Sequence, residues 1–274
     1  MWDSLTQRER HFLLALAAVG DQQRTDCVLS HVSAAVVHGL PVWNLPLRQV
    51  HLTQPSRTGG RILSHQVLHS APLEAADTSE ANGALITSPA RTVVDVARTA
   101  PFEQAVVIGD AALNRGLVTR SELDAALAHA RNWKGIASAR RAVAFMDNRS
   151  ESPGESRSRV LFHNHGLAAP HLQASVFDEA HALVGRADFL YDDGLIGEFD
   201  GKVKYGALLN PGETAADAVI REKRREDAFR ELGWLIIRWM WDDLNRPLIL
   251  VRRVLQALSR ARAQRRPSGL WVPA

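Results

Sequence analysis

The stretch RADFLYDDGLIGEFDGKVKY, Arg186–Tyr205, decides the fold of the second half of the chain, because it is typical of two strands joined by a tight turn. Apolar residues stand on both sides of the letters DDG, residues 192–194. Two aspartates tolerate a type I turn, and Gly194 can take the left-handed conformation that completes a three-residue hairpin loop. The sequence therefore predicts a β-hairpin here.

The loop length sets which residues of the hairpin face each other. If Tyr191 faces Leu195, and the bulge of such a loop is allowed for, Asp188 lies across from Glu198 on the neighbouring strand. The side chains of such a pair are about 5 Å apart. A two-residue loop would slip the register by one position. The pairing of these two acids is therefore an inference from the three-residue loop.

Two facing carboxylates repel each other unless a proton or a cation is shared between them. The two-residue period of a strand puts Asp200 on the face of Glu198, with Phe199 pointing into the core and Lys202 on the acidic face if the strand continues. We expect a carboxylate cluster suited to Mg²⁺ or Mn²⁺, with a nearby lysine that orients water or holds a phosphate.

Two interpretations without a metal stay open for the acids. The three carboxylates could simply form the solvent face of a hairpin. Glu155, a candidate fourth ligand from the preceding helix, also forms a capping box with Ser152, and it could serve both roles.

The pattern around the hairpin predicts two domains, 1–148 and 149–274, separated near MDNRSESPGES, where periodic apolar residues give way to polar ones. The second domain runs helix, three strands, helix, strand, helix. That order predicts an α/β (α+β) mixed sheet with helices on its faces. The first domain is expected to be mainly helical around a small sheet.

Local signals in the first domain fix several elements. Ser88 with Pro89 predicts a helix start, Thr119 with Glu122 predicts another, and RQVHLTQP and RILSHQVLHS alternate like strands. Four histidines could share faces in two pairs, but no cysteine or acid stands at a zinc spacing, so we interpret them as cap or core residues. The pairs are His31 with His38 and His65 with His69.

Composition describes an ordinary globular protein of 274 residues, 46% hydrophobic and 23% charged, with a formal net charge of +3. The only cysteine is Cys27, and no leader or spanning apolar run is visible, so we expect a cytoplasmic protein without a membrane partner. From Arg246 onward the chain has seven arginines and no acid. Such a flank fits a phosphate-bearing partner, or a solvated helix.

The residues of the second domain resemble the restriction-endonuclease-like PD-(D/E)XK superfamily, and most closely its very-short-patch-repair-like endonuclease branch. The resemblance covers Glu151 to about Leu258 and rests on Asp188, on EFDGK with its acids at 198 and 200, and on EKRREDAFRELGWLIIRW. If Glu198 is the second acid of the motif, Asp200 stands at the lysine position; if Asp200 is the second acid, Lys202 fills it. Both forms need Asp188.

The first domain resembles the abortive-infection type IV antitoxin domain that often precedes such endonuclease-like domains. The matching stretches are SHVSAAVVHGLPV, VHLT, TSPARTVVDVAR and GDAALNRGLVT. This resemblance implies a link to phage defence or toxin–antitoxin control, with a toxin protein as a second partner.

Together the resemblances imply a metal-dependent endonuclease acting on DNA. Its metal ligands and catalytic residues would be Asp188, Glu198, Asp200, Glu155 and Lys202. Lys202, Lys223, Arg224 and Arg238 would contact DNA, although Arg238, mid-strand among apolar neighbours, is also expected to reach the acids. The alternative is a non-catalytic regulator that binds DNA or a toxin, and a homodimer is left open.

Overall fold

The computed structural model describes residues 2–20, 27–56, 59–201 and 214–274. By internal contacts the chain divides into two compact units, Met1–Pro153 and Gly154–Ala274, whereas the sequence placed the boundary after residue 148. Both units combine helices with a mixed sheet, so the predicted α/β class is confirmed. Within the described residues, no helix has both the length and the apolar character that crossing a membrane requires.

The N-terminal unit packs helices against a six-stranded sheet with the order β3-β4-β2-β1-β6-β5. Its strands β1 and β6 are parallel, as are β2 and β4. The elements are α1 (Gln7–Gly20), β1 (Val28–Leu29), α2 (His31–Val37), β2 (Val50–Pro55), β3 (Arg61–Ile62), β4 (Gln66–Ala71), β5 (Thr78–Ala81), β6 (Ala84–Thr87), α3 (Pro89–Thr99), α4 (Phe102–Asn114), α5 (Arg120–His129) and α6 (Ile136–Phe145).

The predicted helix starts of this unit are confirmed. Helix α3 begins at Pro89, directly after Ser88, because proline needs no backbone donor in the first turn. Thr119 and Glu122 form a reciprocal capping box before α5, with the Thr119 N–H donating to the Glu122 carboxylate at 2.7 Å. The two predicted strand stretches contain β2 and, in the second, both β3 and β4.

The C-terminal unit has the element order that the sequence predicted, with a short helix and a final strand added. Its elements are α7 (Pro153–Asn164), β7 (His171–Phe177), β8 (Leu183–Tyr191), β9 (Leu195–Phe199), α8 (Ala215–Glu231), β10 (Leu235–Trp239), α9 (Trp241–Leu244), α10 (Pro247–Ala263) and β11 (Leu270–Val272). The five strands form one sheet in the order β10-β9-β8-β7-β11. Strands β7, β8 and β9 are successively antiparallel, while β9 and β10 are parallel and connected through α8.

The hairpin between β8 and β9 has the predicted loop. Tyr191 pairs with Leu195, and Gly194 has a φ of 90°, the left-handed conformation that closes the turn. The ladder runs outward to Phe189 opposite Gly197, and the next positions in that register are 188 and 198. The turn chemistry thus fixes the strand faces on which the acids lie.

Two apolar clusters of buried residues hold the C-terminal sheet. One contains Phe162 of α7, Phe189, Phe199, Trp239 and residues of α10. The other includes Ile196 and Phe229, which comes from α8. Since strand residues alternate between faces, Phe199 enters the first cluster while its neighbours in the chain do not.

Candidate functional site

Asp188 is fixed by its carboxylate to the end of β9. Its Oδ2 accepts the backbone N–H of Phe199 at 3.0 Å. The Phe199 ring packs edge-on against the Trp241 ring, with 5.0 Å between the ring centroids. It also packs against Gly154, where a Cβ atom would lie 1.9 Å from the Phe199 ring. The half-buried Asp188 carboxylate therefore sits beside the segment that carries the acids at 198 and 200.

Glu198 is buried, with 6% of its surface exposed, and two arginines bind its carboxylate. Nη2 of Arg225 lies 2.6 Å from its Oε1, and Nε of Arg238 lies 2.7 Å from its Oε2. Arg238 is the residue paired with Glu198 across the parallel strands, so the expectation that it reaches an acid is confirmed. Buried charge at this position is thus compensated from two sides.

Arg225, which sequence reasoning did not select, extends from α8 across the sheet. Besides Glu198 it binds Glu222, 2.7 Å away, and its Nη1 donates to the backbone oxygen of Arg186 at 2.8 Å. Burial acts to lower the pKa of Arg225, but the hydrogen bond to Glu222 and the charges of Glu198 and Glu222 outweigh it and raise the pKa. No local pattern marks this arginine, since its partners lie on other elements.

Arg238 is held by further carboxylates of α8. Its guanidinium contacts Glu222, and its Nη1 lies 3.0 Å from Oε2 of Glu226. Burial acts to raise the pKa of Glu222, but its two arginine partners outweigh that and lower it. A DNA phosphate would have to compete with three carboxylates for Arg238, which weakens its predicted role in DNA binding.

Asp200 differs from Glu198 in its surroundings. Its backbone N–H donates to the Trp239 oxygen at 2.8 Å, which extends the β9–β10 ladder by one residue. Its half-buried carboxylate has no hydrogen bond or ion pair with another residue in the described part of the chain. Lys202 lies outside the described residues.

Glu155 stands in the first turn of α7 and is 4% exposed. Its Oε2 accepts a hydrogen bond from Nε2 of Gln173 at 2.8 Å. Gln173 lies in β7 and has a positive φ of 52°. In the register between β7 and β8 its position is opposite that of Asp188. Glu155 is therefore directed at the sheet and not only at its own helix end.

The exposed face of α8 carries the other predicted DNA contacts. Lys223 and Arg224 are exposed, and neither pairs with an acid among the described residues. Asp227, four residues after Lys223, lies 3.6 Å from Arg230. Both cations remain available to an external anion.

The tightest group of metal-binding side chains lies in the N-terminal unit. Within the described residues, His31, His51 and His69 form the one group of three or more His, Cys, Asp or Glu whose ligand atoms lie within 4.8 Å of one another. The predicted carboxylates of the C-terminal unit do not form such a group there. We call these three residues the histidine cluster.

Three elements build the histidine cluster. His31 begins α2, while His51 and His69 lie on the parallel strands β2 and β4. Nδ1 of His51 lies 3.1 Å from Nε2 of His69, and the His31 and His69 rings stack at 3.6 Å between centroids. His31 has a φ of 51°, a conformation that costs a non-glycine residue about 1 to 3 kcal/mol and persists where the surroundings impose it.

Burial keeps the cluster uncharged at neutral pH. Desolvation, with smaller contributions from neighbouring charges, lowers the pKa of His51 to about 4 and that of His69 to about 3. The pKa of His31 is also well below its usual value, first because of burial and then because of His51 and two arginines. Neutral imidazole is the form that binds metals.

The interpretation of the histidines as cap or core residues agrees with His31, which is the buried first residue of α2, and with His38; it did not include the contact of His31 with His51 and His69. Nε2 of His38 lies 2.8 Å from the Thr87 oxygen, a contact inside the fold. His65 is exposed, whereas His69 meets His51 and His31. The available signal was the alternation in β2 and β4, which permits His51 and His69 to approach once the strands pair.

A cavity of about 470 Å³ adjoins the cluster. His31 and His69 line it together with Arg91, Asp95 and Arg98. The fully buried Asp95 lies 2.8 Å from Nε of Arg91 and 2.7 Å from Nη1 of Arg98. Arg61 lines the cavity as well, so the wall combines imidazoles with three guanidiniums and one carboxylate.

Comparison with known proteins shows relatives but no assigned activity. Two uncharacterized proteins of Mycobacterium tuberculosis, one from strain CDC 1551 / Oshkosh and one from strain H37Rv, are each 35% identical to this chain over 182 residues. Each alignment covers 66% of this chain and 64% of the relative, so the chain spans a little under two thirds of the length of these relatives. No family model and no solved structure matches the chain.

Proposed function

We propose that the C-terminal unit is a metal-dependent DNA endonuclease of the restriction-endonuclease-like PD-(D/E)XK class. The observation that carries the proposal is the hydrogen bond from the Phe199 N–H to Asp188, which joins the first motif acid to the end of β9 beside Asp200. The strand arrangement supports it as well, since an antiparallel hairpin is followed by a helix and a parallel strand. On the antitoxin resemblance of the first unit, the protein would act in the cytoplasm in phage defence or toxin–antitoxin control.

Carboxylates around β9 would be the ligands of the proposed Mg²⁺ or Mn²⁺. Both ions prefer carboxylate oxygens, and the half-buried Asp188 and Asp200 offer them. Glu155, directed at the sheet, is the candidate further ligand. When bound, such an ion would lower the pKa of a water molecule and offset the charge of the scissile phosphate.

The arginine pairs favour one form of the motif over the other. Glu198 already has a guanidinium on each oxygen, so a metal would have to displace two ion pairs to bind there. The Asp200 carboxylate meets no such competition from described residues. We therefore propose Asp200 as the second acid and Lys202 as the lysine of the motif, with Glu198 holding the two arginines in place.

Exposed cations would hold the DNA backbone. Lys223 and Arg224 project from α8, and α10 ends among exposed arginines. Phosphate contacts of this kind position DNA without reading its sequence. Asp200 and Lys202 would then act on the phosphate that this surface presents.

The alternative is a non-catalytic regulator that binds DNA or a toxin. The full neutralisation of Glu198, together with acids that do not converge within 4.8 Å among the described residues, favours it. A regulator needs the cationic surface but not the metal. Its DNA affinity should therefore be independent of divalent ions.

The two functions are separated by measuring DNA binding and DNA cleavage on the same samples. Wild type and Asp188→Asn are incubated with plasmid and with single-stranded DNA, in Mg²⁺, in Mn²⁺ and in chelator. For the nuclease we expect cleavage by wild type in metal alone, and binding without cleavage by the variant. Binding that is equal under all conditions, with no cleavage by folded wild type, would support the regulator.

A further inference from the structure

The histidine cluster lies in the other unit from the proposed nuclease residues, and neither proposed function uses it. We propose that His31, His51 and His69 bind a divalent transition-metal ion of the zinc class, with an open coordination position toward the adjoining cavity.

The spacing of the nitrogens supports a single ion. Tetrahedral zinc, with Zn–N distances of about 2.0 to 2.1 Å, needs ligand nitrogens about 3.3 Å apart. Nδ1 of His51 and Nε2 of His69 are 3.1 Å apart, which is within a few tenths of an ångström of that requirement. The ligand atoms of all three residues lie within 4.8 Å of one another, so the His31 ring, which stacks on His69, must turn out of that stack and move its nitrogen by about 1.5 Å to complete the set.

Hydrogen bonds within the fold do not use all the ring nitrogens of the histidine cluster. The described contacts of its rings join His51 to His69 and Nδ1 of His31 to Oγ of Ser30, 2.9 Å away. Nδ1 of His51 and Nε2 of His69 contact only each other, and Nε2 of His31 has no hydrogen-bond partner among the described residues. These three nitrogens are therefore the ones that would bind the ion.

Acidic side chains offset part of the positive charge near the cluster. Arg91 and Arg98 line the cavity, but Asp95 binds both, and Asp77 lies 3.2 Å from Arg91. Arg61 also lines the cavity, so its wall carries three guanidiniums and the carboxylate of Asp95, with Asp77 pairing with Arg91 from outside the lining. The pairing also fixes Asp95 beside His69.

The cavity determines the kind of site. A structural zinc ion is enclosed by four protein ligands, whereas three histidines and an open fourth position are typical of a catalytic or ligand-binding ion. His31 and His69 both line the cavity of about 470 Å³, so the fourth position would be reached from it. Ser70 also lines this cavity.

The test is a titration of the whole protein with Co²⁺ and Zn²⁺ after removal of metals with chelator. Bound metal is counted by mass spectrometry, and the visible spectrum of Co²⁺ reports nitrogen ligands and tetrahedral geometry. The variants are His51→Gln and His69→Gln. His65→Gln is the matched control, because His65 is exposed and close to β4 but outside the cluster.

We expect one equivalent bound by wild type and by His65→Gln, and a loss of affinity of about 100-fold or more in each cluster variant. The same titration in Asp188→Asn should be unchanged, which separates this site from the proposed nuclease site. Absence of stoichiometric binding by wild type, or equal binding by the cluster variants, would overturn the proposal. If a variant fails to fold, the wild-type cobalt spectrum decides: intense tetrahedral bands support the site, and weak octahedral bands overturn it.

Discussion

Glu198→Gln and Asp200→Asn should separate stability from activity, although both replace an acid by its amide on the same strand end. Glu198 is 6% exposed and binds two guanidiniums, at 2.6 and 2.7 Å. A hydrogen bond to a charged group contributes about 1.5 to 3 kcal/mol to stability. Removal of one partner of a buried ion pair also leaves the other charge without compensation. Arg225 and Arg238 would still pair with Glu222, and their side chains are 26% and 34% exposed. We therefore expect a net loss of about 2 to 3 kcal/mol in the free energy of unfolding.

Asp200→Asn should change the free energy of unfolding by less than about 0.5 kcal/mol, because no described residue pairs with this carboxylate. Urea unfolding in chelator, followed by tryptophan fluorescence, measures the difference. With a slope of about 2 kcal/mol per M, Glu198→Gln lowers the midpoint of the C-terminal transition by about 1 M.

Activity should change in the opposite order. Asp200→Asn is expected to abolish metal-dependent cleavage, whereas Glu198→Gln should retain it at temperatures where the variant is folded. Equal midpoints for the two variants, with cleavage lost only in Glu198→Gln, would refute the reasoning. That result would mean that Glu198 binds the metal and that its ion pairs with Arg225 and Arg238 do not prevent this.

Three further predictions concern packing, DNA binding and pH. Gly197→Ala should destabilise the C-terminal unit by about 1 to 3 kcal/mol in urea, since its Cβ would lie 2.6 Å from the Trp239 ring; an unchanged midpoint would argue against this packing. Lys223→Ala should weaken DNA binding and reduce the slope of log affinity against log salt by about 1, whereas Arg230→Ala, already paired on the same helix, should have little effect; fluorescence anisotropy over a salt series measures both. In chelator, the N-terminal unit should lose stability as pH falls from 6.5 toward 4, because burial lowers the pKa of two cluster histidines to about 4 and about 3 and the unfolded chain takes up protons first; each contributes about 1 kcal/mol per pH unit, and a flat stability profile over this window would contradict the burial.

Local chemistry made several elements of both units predictable. The DDG loop sets the hairpin register through Gly194, and the helix starts follow from capping residues and proline. These signals act within a few residues, so sequence alone carries them. Strands β1, β5 and β6 were not predicted, because segments of two to four residues are defined by their partners and not by a periodic pattern.

The candidate sites show the same limit. The position of Asp188 beside the end of β9 was predictable because turn geometry ties it to the next strand, and the contact of Arg238 with an acid because a charge among apolar residues needs a partner. Arg225 was missed, since it reaches Glu198 only after α8 packs across the sheet. The histidine cluster was missed because it depends on the parallel pairing of β2 with β4 and on the position of α2 above them.

The most direct test of the central claim is the rate at which purified protein nicks supercoiled plasmid in Mg²⁺, measured in parallel for wild type and for Asp188→Asn of equal thermal stability. The account predicts nicking by wild type that stops on addition of chelator and is lost in the variant. Equal rates for the two proteins, or no nicking by folded wild type in Mg²⁺ or Mn²⁺, would contradict it.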